Sequence, residues 1–198
     1  MNRIGLLLLA FFTASSSTFK VDQNELIRQK IEMIQSEIAV TIKGDPIYCK
    51  TALPQFYITK QFKKVWNEEK ASELIQVLEK AQEEGLKPQD YHLEVLKNFS
   101  VSKLNDVEHA EYDLLLTDAF LLYASHFLNG KVNPETVDSE WQAIRREGDA
   151  KVYLDIALVK NSIRETLKAL APDISGYRGL KNALAEYKSI QRKGGWKW

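Results

Sequence analysis

The stretch Leu116–Pro134, LTDAFLLYASHFLNGKVNP, decides the fold. Apolar residues occupy nearly every side of a helix here, so the sequence predicts a long central helix, Asp106 to Leu128, that is buried on most sides. Gly130 is placed to end this helix, because glycine readily adopts the backbone conformation of a helix C-terminus. Thr117 and Asp118 interrupt the apolar run, and burying them costs free energy unless their polar groups are hydrogen-bonded.

Thr117 and Asp118 admit two interpretations. In the architectural one, Thr117 bonds back to the carbonyl one turn earlier, and Asp118 caps or pairs with a neighbouring segment, with Lys131, Arg145 or Arg146 as candidate partners. In the catalytic one, Asp118 is the carboxylate of a hydrolase, which requires a second acidic group across a cleft. The sequence does not place that second group, so the architectural interpretation is favoured.

Around the central helix, apolar residues recur at helical spacing along most of the chain, between glycine and proline punctuation that includes Gly148, Pro172 and Gly176. The sequence therefore predicts an all-α fold, a compact bundle of about eight short helices, with at most a small strand pair near residues 40–49 around the turn signal Gly44-Asp45-Pro46. The expected helical segments are 24–39, 54–62, 69–85, 88–99, 106–128, 135–145, 152–160, 162–171 and 180–193.

The composition excludes several classes of protein. The chain has 198 residues, with 27 lysines and arginines against 27 aspartates and glutamates. Across the whole chain this balance gives no electrostatic case for a nucleic-acid partner or for an anionic membrane surface. A hydrophobic content of 44% with little glycine and proline predicts a folded globular chain. The single cysteine, Cys49, cannot form a disulfide within the chain.

The first residues have the layout of a secretory signal peptide. Arg3 precedes an apolar run, Ile4 to Phe12, which small residues follow from Ala14 to Ser17. This run is shorter than the ~20 residues that span a bilayer, and no other run is long enough. We expect a signal peptide over residues 1–17, a helix and turn segment over 18–52, and a helical domain over 53–198; a buried N-terminal helix is the alternative for the first segment.

A search for reactive groups gives no metal site and no cofactor site. His92, His109 and His126 lack the i, i+4 spacing of helical metal ligands, and each is expected at the surface or its boundary. Ser125 and His126 are neighbours on a helix and diverge by ~100°, so the histidine cannot activate the serine. Cys49 has no histidine base nearby in sequence and is interpreted as an ordinary small residue.

The aromatic residues also have two interpretations. Tyr57, Trp66, Tyr91, Tyr123 and Trp141 are numerous enough to line a glycan-binding groove. Aromatic residues at helical spacing are more often core anchors with one polar group, and that interpretation is favoured here.

Three blocks of sequence, read together, resemble the helical scaffold region of murein L,D-transpeptidases. The first is residues 55–93, QFYITKQFKKVWNEEKASELIQVLEKAQEEGLKPQDYHL; the second is residues 113–141; the third is residues 167–196, LKALAPDISGYRGLKNALAEYKSIQRKGGW. The resemblance covers about Leu53 to Trp196, and the order and spacing of the blocks make it specific. Its markers, which the resemblance implies to be structural, include Tyr57, Trp66, Gly85, Pro88, Tyr91, Asp113, Thr117, Asp118, Gly130, Pro134, Trp141, Pro172, Tyr177, Tyr187 and Trp196.

In the family that this region resembles, a peptidoglycan-binding module and a catalytic domain follow the scaffold. A cysteine in a Ser-His-Gly-Cys type motif forms a thioester and cross-links peptide stems of peptidoglycan. These 198 residues contain no such motif, and Cys49 does not match it. The resemblance therefore implies a non-catalytic scaffold portion of an exported, periplasmic L,D-transpeptidase, truncated or split before its other domains, with peptidoglycan or a cell-wall enzyme domain as its partner.

The alternative is a stand-alone periplasmic module without enzymatic activity, which would bind peptidoglycan or a cell-wall partner through a surface formed by Tyr57, Trp66 and Trp141. Trp196 and Trp198, close together near the end of the sequence, suggest packing against a further domain.

Overall fold

The polypeptide folds as α-helices gathered around one long central helix. The computed structural model describes residues 22–36, 40–132, 146 and 148–196. Within these residues there are eight α-helices and one two-stranded antiparallel sheet, so the predicted all-α fold with a small strand pair is confirmed. The α-helices are α1 (Gln23–Gln35), α2 (Ala52–Thr59), α3 (Glu68–Glu79), α4 (Leu93–Asn98), α5 (Asp106–Asn129), α6 (Ala150–Lys160), α7 (Ile163–Ala169) and α8 (Ser175–Arg192), and the strands are β1 (Thr41–Ile42) and β2 (Asp45–Pro46).

Helix α5 is the hub of the core. Its 24 residues begin at a capping box, in which the Asn105 side chain accepts from the Glu108 amide and the Glu108 carboxylate accepts from the Asn105 amide. It ends at Gly130, whose φ of 77° and ψ of 154° a residue with a side chain rarely adopts. Helices α1, α2, α3, α4 and α6 all pack against it. The prediction of a central helix buried on most sides is confirmed.

The amphipathic helices α1 and α3 supply much of the surrounding core. Asp22 and Asn67 cap their N-termini by accepting backbone amide hydrogens. Each helix buries one face: Ile27, Ile31 and Ile34 in α1, and Ala71, Leu74 and Leu78 in α3. Helix α8 differs, because none of its residues is buried.

Several predicted boundaries are wrong. The segment 88–99 is not one helix: a 3-10 helix, Pro88–Tyr91, is separated from α4 by His92, whose φ is 58°. Gly176 does not separate helices, since α8 begins at Ser175 and includes it. Helix α1 ends at Gln35, where 39 was expected. The predicted signal peptide over 1–17 and the predicted helix over 135–145 lie outside the described residues.

The strand pair lies in the segment that connects α1 to α2. Thr41 pairs with Pro46 and Ile42 with Asp45, and the intervening Lys43 and Gly44 both have positive φ, as a tight two-residue hairpin requires. Among the described residues, no helix is both long and apolar enough to cross a membrane.

Candidate functional site

The polar residues of α5 form the most concentrated group of buried functional groups in the described structure. Asp113, Thr117 and Asp118 each have no exposed surface. Asp113 and Thr117 are one helical turn apart and lie on the same face of α5, whereas Asp118 lies on an adjacent face. The three residues therefore serve two separate clusters, one against α2 and α3 and the other against the strand pair.

In the first cluster, Asp113 accepts three donors from the segments around α2 and α3. The Tyr57 hydroxyl donates to Asp113 Oδ2 at 2.6 Å, the Trp66 amide donates to Oδ1 at 2.9 Å, and the Val65 amide lies 3.2 Å from both oxygens. Burial raises the pKa of Asp113 to about 6, although these donors work in the opposite direction. Burial and the neighbouring carboxylate both raise the pKa of Tyr57, so its hydroxyl remains a donor.

Thr117 completes this first cluster. Its hydroxyl donates to the carbonyl of Asp113 one turn earlier at 2.9 Å, which confirms the predicted back-bond. The same oxygen accepts from Trp66 Nε1 at 2.9 Å and lies 2.8 Å from the Tyr57 hydroxyl. The ring nitrogen of a buried tryptophan and the hydroxyl of a buried tyrosine thus both have partners, as buried polar groups require.

In the second cluster, Asp118 fastens the chain that follows the strand pair. The amides of Tyr48 and Cys49 donate to its two oxygens at 3.0 and 2.8 Å, and His92 Nε2 lies 2.8 Å from Oδ2. The other ring nitrogen of His92, Nδ1, lies 3.1 Å from Asp45 Oδ2. Asp118 does pair with a neighbouring segment, as predicted, but the partner is different.

The partners predicted for Asp118 are engaged elsewhere. Lys131 pairs with Asp90, and Arg146 donates to the carbonyl of Phe127 near the end of α5 and to that of Leu170, which follows α7. Arg145 lies outside the described residues. Lys131 and Arg146 are thus the wrong partners, because the long-range approach of His92 to Asp118 has no signal in local sequence.

His92 also corrects the prediction that all three histidines lie at the surface or its boundary. Its exposed fraction is 1%, and the Tyr48 ring stacks on it with centroids 5.4 Å apart. Burial alone would lower the pKa of His92, but the carboxylates of Asp118 and Asp45 outweigh burial and hold that pKa above its ordinary value. His109 and His126 are half-buried, as expected of boundary residues.

The second cluster contains residue types used in catalysis, yet its geometry is closed. Both nitrogens of His92 contact carboxylates, and Asp118 is bonded to two backbone amides as well as to the imidazole. The Cys49 sulfur lies 3.8 Å from the Asp118 carbonyl, and burial together with the Asp118 charge raises the pKa of its thiol, which opposes thiolate formation. Asp118 therefore holds the fold together and does not face a cleft as a catalytic carboxylate would.

The Ser125-His126 pair separates as predicted. His126 Nδ1 lies 2.8 Å from the Tyr91 hydroxyl, so its ring turns away from Ser125. Ser125 instead lines an open cavity of about 470 Å³, together with Cys49, Lys50 and Asp149. Asp113, Asp118 and His92 do not line this cavity. In the described part of the chain, histidine, cysteine and carboxylate side chains nowhere gather in a group of three that could hold a metal ion.

The aromatic residues are core anchors. Tyr57, Trp66, Tyr91 and Tyr123 are all buried, and Tyr91 contacts Tyr123 edge to face with centroids 4.9 Å apart. The favoured interpretation as core anchors is therefore confirmed for these four residues, and the alternative of a glycan groove is wrong for them. The binding surface proposed for a stand-alone module is wrong for Tyr57 and Trp66, because neither is accessible; Trp141 lies outside the described residues.

The remaining marker residues shape turns and helix ends. Gly85 has a φ of 76° and ends the 3-10 helix Ala81–Glu84, and Pro88 opens the next 3-10 helix. Pro172 follows α7, and the Tyr177 hydroxyl donates to Glu84. Tyr187 and Trp196 are exposed. Pro134 lies outside the described residues.

Comparison with known proteins identifies a family for this chain. A family model described as Scaffold domain matches residues 51–184, which is more than half of the chain. This range includes α5 and all residues of the first cluster, and it includes Asp118 and His92 of the second. Neither a curated protein nor a solved structure matches the chain.

Proposed function

The chain belongs to the Scaffold domain family, and on that premise we propose that it is the non-catalytic scaffold portion of a murein L,D-transpeptidase system in peptidoglycan cross-linking. The finer assignment rests on the three sequence blocks that resemble the scaffold region of those enzymes. Catalysis would belong to a cysteine domain of that system and not to these 198 residues. The chain would act in the periplasm, near peptidoglycan.

The use of the polar residues in α5 carries the proposal. Asp113, Thr117, Asp118 and His92 direct their hydrogen bonds inward, to Tyr57, to Trp66 and to backbone amides. Each of these bonds ties a neighbouring segment to α5. This arrangement supports a rigid body that positions other domains, because the side chains that could act in catalysis are instead hydrogen-bonded within the fold.

The export of the chain is part of the same proposal. The basic start, short apolar run and small residues of the first 17 positions favour secretion. Fractionation of cells that express the chain, followed by N-terminal sequencing, tests this step. We expect a periplasmic product that begins near residue 17 or 18; an intact N-terminus in the cytosolic fraction would exclude export.

The absence of catalysis is tested with the purified chain and tetrapeptide muropeptides. After incubation, mass spectrometry measures new cross-links and released D-alanine, and a complete L,D-transpeptidase assayed in parallel is the positive control. We expect neither product from this chain. A new cross-link, or D-alanine released at a rate that depends on the concentration of the chain, would overturn the proposal.

A further inference from the structure

Helix α8 has a sharply defined apolar side that the described core does not use. Its strip, called the α8 strip here, consists of residues at spacings of three and four: Leu180, Ala183, Leu184, Tyr187 and Ile190. Apolar and polar side chains are segregated more sharply in α8 than in α1 or α3, which each bury three residues. In α8 none is buried, and Leu180 and Tyr187 are 75% and 62% exposed.

Polar contacts attach α8 to the rest of the protein along an adjoining side, where Leu180 and Leu184 of the strip line a small cavity beside Glu84. Tyr177 and Lys181 bond to the Glu84 carboxylate, and Lys188 donates to the Gln82 carbonyl. These contacts fix the helix against the 3-10 helix Ala81–Glu84. Beside that attachment, Leu180 and Tyr187 of the α8 strip stay exposed, whereas its other three residues are half-buried.

The second half of α8 is locally basic, although the whole chain has a formal net charge of zero. In the first half, Arg178 and Lys181 are paired with Asp173 and Glu84. From residue 186 onward, the sequence contains Lys188, Arg192 and Lys193 but only one acidic residue, Glu186. Neither Arg192 nor Lys193 forms an ion pair within the described part of the chain. The charge balance of the whole chain therefore conceals a basic patch at this end.

The residues after α8 add an aromatic pair to the same end. Gly194 and Gly195 have φ values of 97° and 78°, which turn the chain back towards the helix. The Trp196 ring then meets the Tyr187 ring edge to face, with centroids 6.4 Å apart, and Trp196 stays 65% exposed. Tryptophan and tyrosine are the side chains enriched at the boundary between membrane and water.

We propose that residues 186–196 bind the surface of a lipid bilayer that carries anionic headgroups, with α8 lying in the plane of the interface. A large separation of apolar and polar faces, low overall hydrophobicity, lysine and arginine on the polar face and aromatic residues on the other define interfacial helices. All four features coincide here, and both Tyr187 and Trp196 remain exposed in the described structure.

A second copy of the chain fits the α8 strip less well. Parallel two-fold pairing of α8 with α8 would place the two basic second halves side by side, so Lys188 and Arg192 would approach their own copies. Like charges that face each other across an interface oppose association. An anionic surface instead attracts each cation.

The test uses the full chain labelled with a fluorophore whose emission depends on the polarity around it. Because the apolar run Ile4–Phe12 can also enter lipid, bulk sedimentation is not sufficient. An environment-sensitive fluorophore is attached to Tyr187→Cys, and the control label is attached to Val159→Cys on α6, where Val159 is 86% exposed. The native Cys49 reacts slowly, since its thiol is partly buried and its pKa is raised.

With vesicles of equal parts phosphatidylcholine and phosphatidylglycerol, we expect a blue shift from the label at 187 and none from the label at 159. Pure phosphatidylcholine should give no shift, and added salt should weaken the response. Arg192→Gln with Lys193→Gln should weaken binding about ten- to thirtyfold. The exposed pair Lys87→Gln with Lys103→Gln is the matched control and should change little.

Several results would overturn the proposal: no blue shift from the label at 187, equal shifts from both labels, or binding to pure phosphatidylcholine vesicles as strong as to the anionic vesicles. A shift that grows with protein concentration without lipid would assign the α8 strip to self-association. A stronger response to soluble polyglutamate than to the vesicles would assign it to an acidic protein. Circular dichroism of each variant establishes that it is folded.

Discussion

At the scale of single residues, Thr117 shows how a buried hydroxyl can hold two segments. Its oxygen contacts both the Tyr57 hydroxyl, which belongs to α2, and Trp66 Nε1, which belongs to the segment between α2 and α3. In Thr117→Val, which has nearly the same shape, the tryptophan nitrogen loses its acceptor inside the core. We expect the free energy of unfolding to fall by about 1–3 kcal/mol.

Urea denaturation measures this loss, and Thr166→Val is the matched control. Thr166 is also nearly buried, but within the described residues its hydroxyl bonds only to the carbonyl of Ser162, the N-cap of its own helix. Its replacement should cost less than about 1 kcal/mol. Equal losses from the two variants would mean that the contacts of Thr117 to Tyr57 and Trp66 add nothing.

His92 gives the unfolding free energy a defined dependence on pH. The pKa of His92 is raised in the folded state by Asp118 and Asp45, so its stabilisation is complete below the unfolded pKa of 6.5. It is lost as the pH rises through the higher folded pKa. We therefore expect stability to fall as the pH increases above 6.5, and a range that starts there avoids most of the titration of Asp113, whose pKa is about 6.

Unfolding free energies measured by urea from pH 6.5 to 9 test this dependence. In His92→Asn, which tolerates the left-handed backbone at this position, the decline should flatten. His109→Asn should keep it, since His109 is outside the cluster. A wild-type protein whose stability is constant over this range would contradict the ion pairs of His92.

The local sequence predicted the hydrogen bond that Thr117 donates but not the contacts around Asp118. The back-bond of Thr117 follows from helix geometry alone, because its acceptor is one turn away. The Asp118 partners come from positions 48, 49 and 92, far away in sequence, and His92 has a left-handed backbone conformation. Nothing in local periodicity predicts that conformation for a histidine.

At the scale of elements, the ends of helices were predicted where glycine or a capping residue marks them. Gly85 and Gly130 both adopt positive φ at the ends of helical segments, as expected. The prediction failed at Gly176, which lies in the first turn of α8. A glycine marks a helix end only where the chain needs a conformation that other residues avoid, and residue type alone does not show this.

The two kinds of glycine should respond differently to replacement by alanine. At Gly130 the nearest atom to an added Cβ is 3.8 Å away, so Gly130→Ala is opposed only by its backbone angles, at a cost of about 1–3 kcal/mol. Gly179→Ala in α8 meets no atom within 4 Å and improves helix propensity by up to about 1 kcal/mol.

Thermal unfolding followed by circular dichroism compares the two alanine variants. A lower melting temperature is expected for Gly130→Ala and an unchanged or higher one for Gly179→Ala. If Gly130→Ala were as stable as the wild type, the end of α5 would not depend on this conformation.

At the scale of the whole molecule, the fold class was predictable because it depends on periodicity, which sequence displays directly. The role of the polar residues was not, because it depends on which segments meet around α5. Helix α8 stands apart from this organisation: it is attached by polar contacts and buries none of its residues. The described protein therefore consists of a body whose buried polar side chains bond to one another and to the backbone, and of one helix whose apolar side is largely exposed.

Native-state hydrogen exchange at the amides of Cys49 and Trp66 tests most directly whether the carboxylates of α5 are structural. Both amides lie outside the helices and donate to Asp118 and Asp113 at 2.8 and 2.9 Å. If the carboxylates fasten the fold, these amides exchange only on global unfolding, with the protection seen at Leu121 inside α5. Fast exchange at Cys49 and Trp66 while Leu121 stays protected would contradict the scaffold, because Asp113 and Asp118 would then be free to act on a ligand.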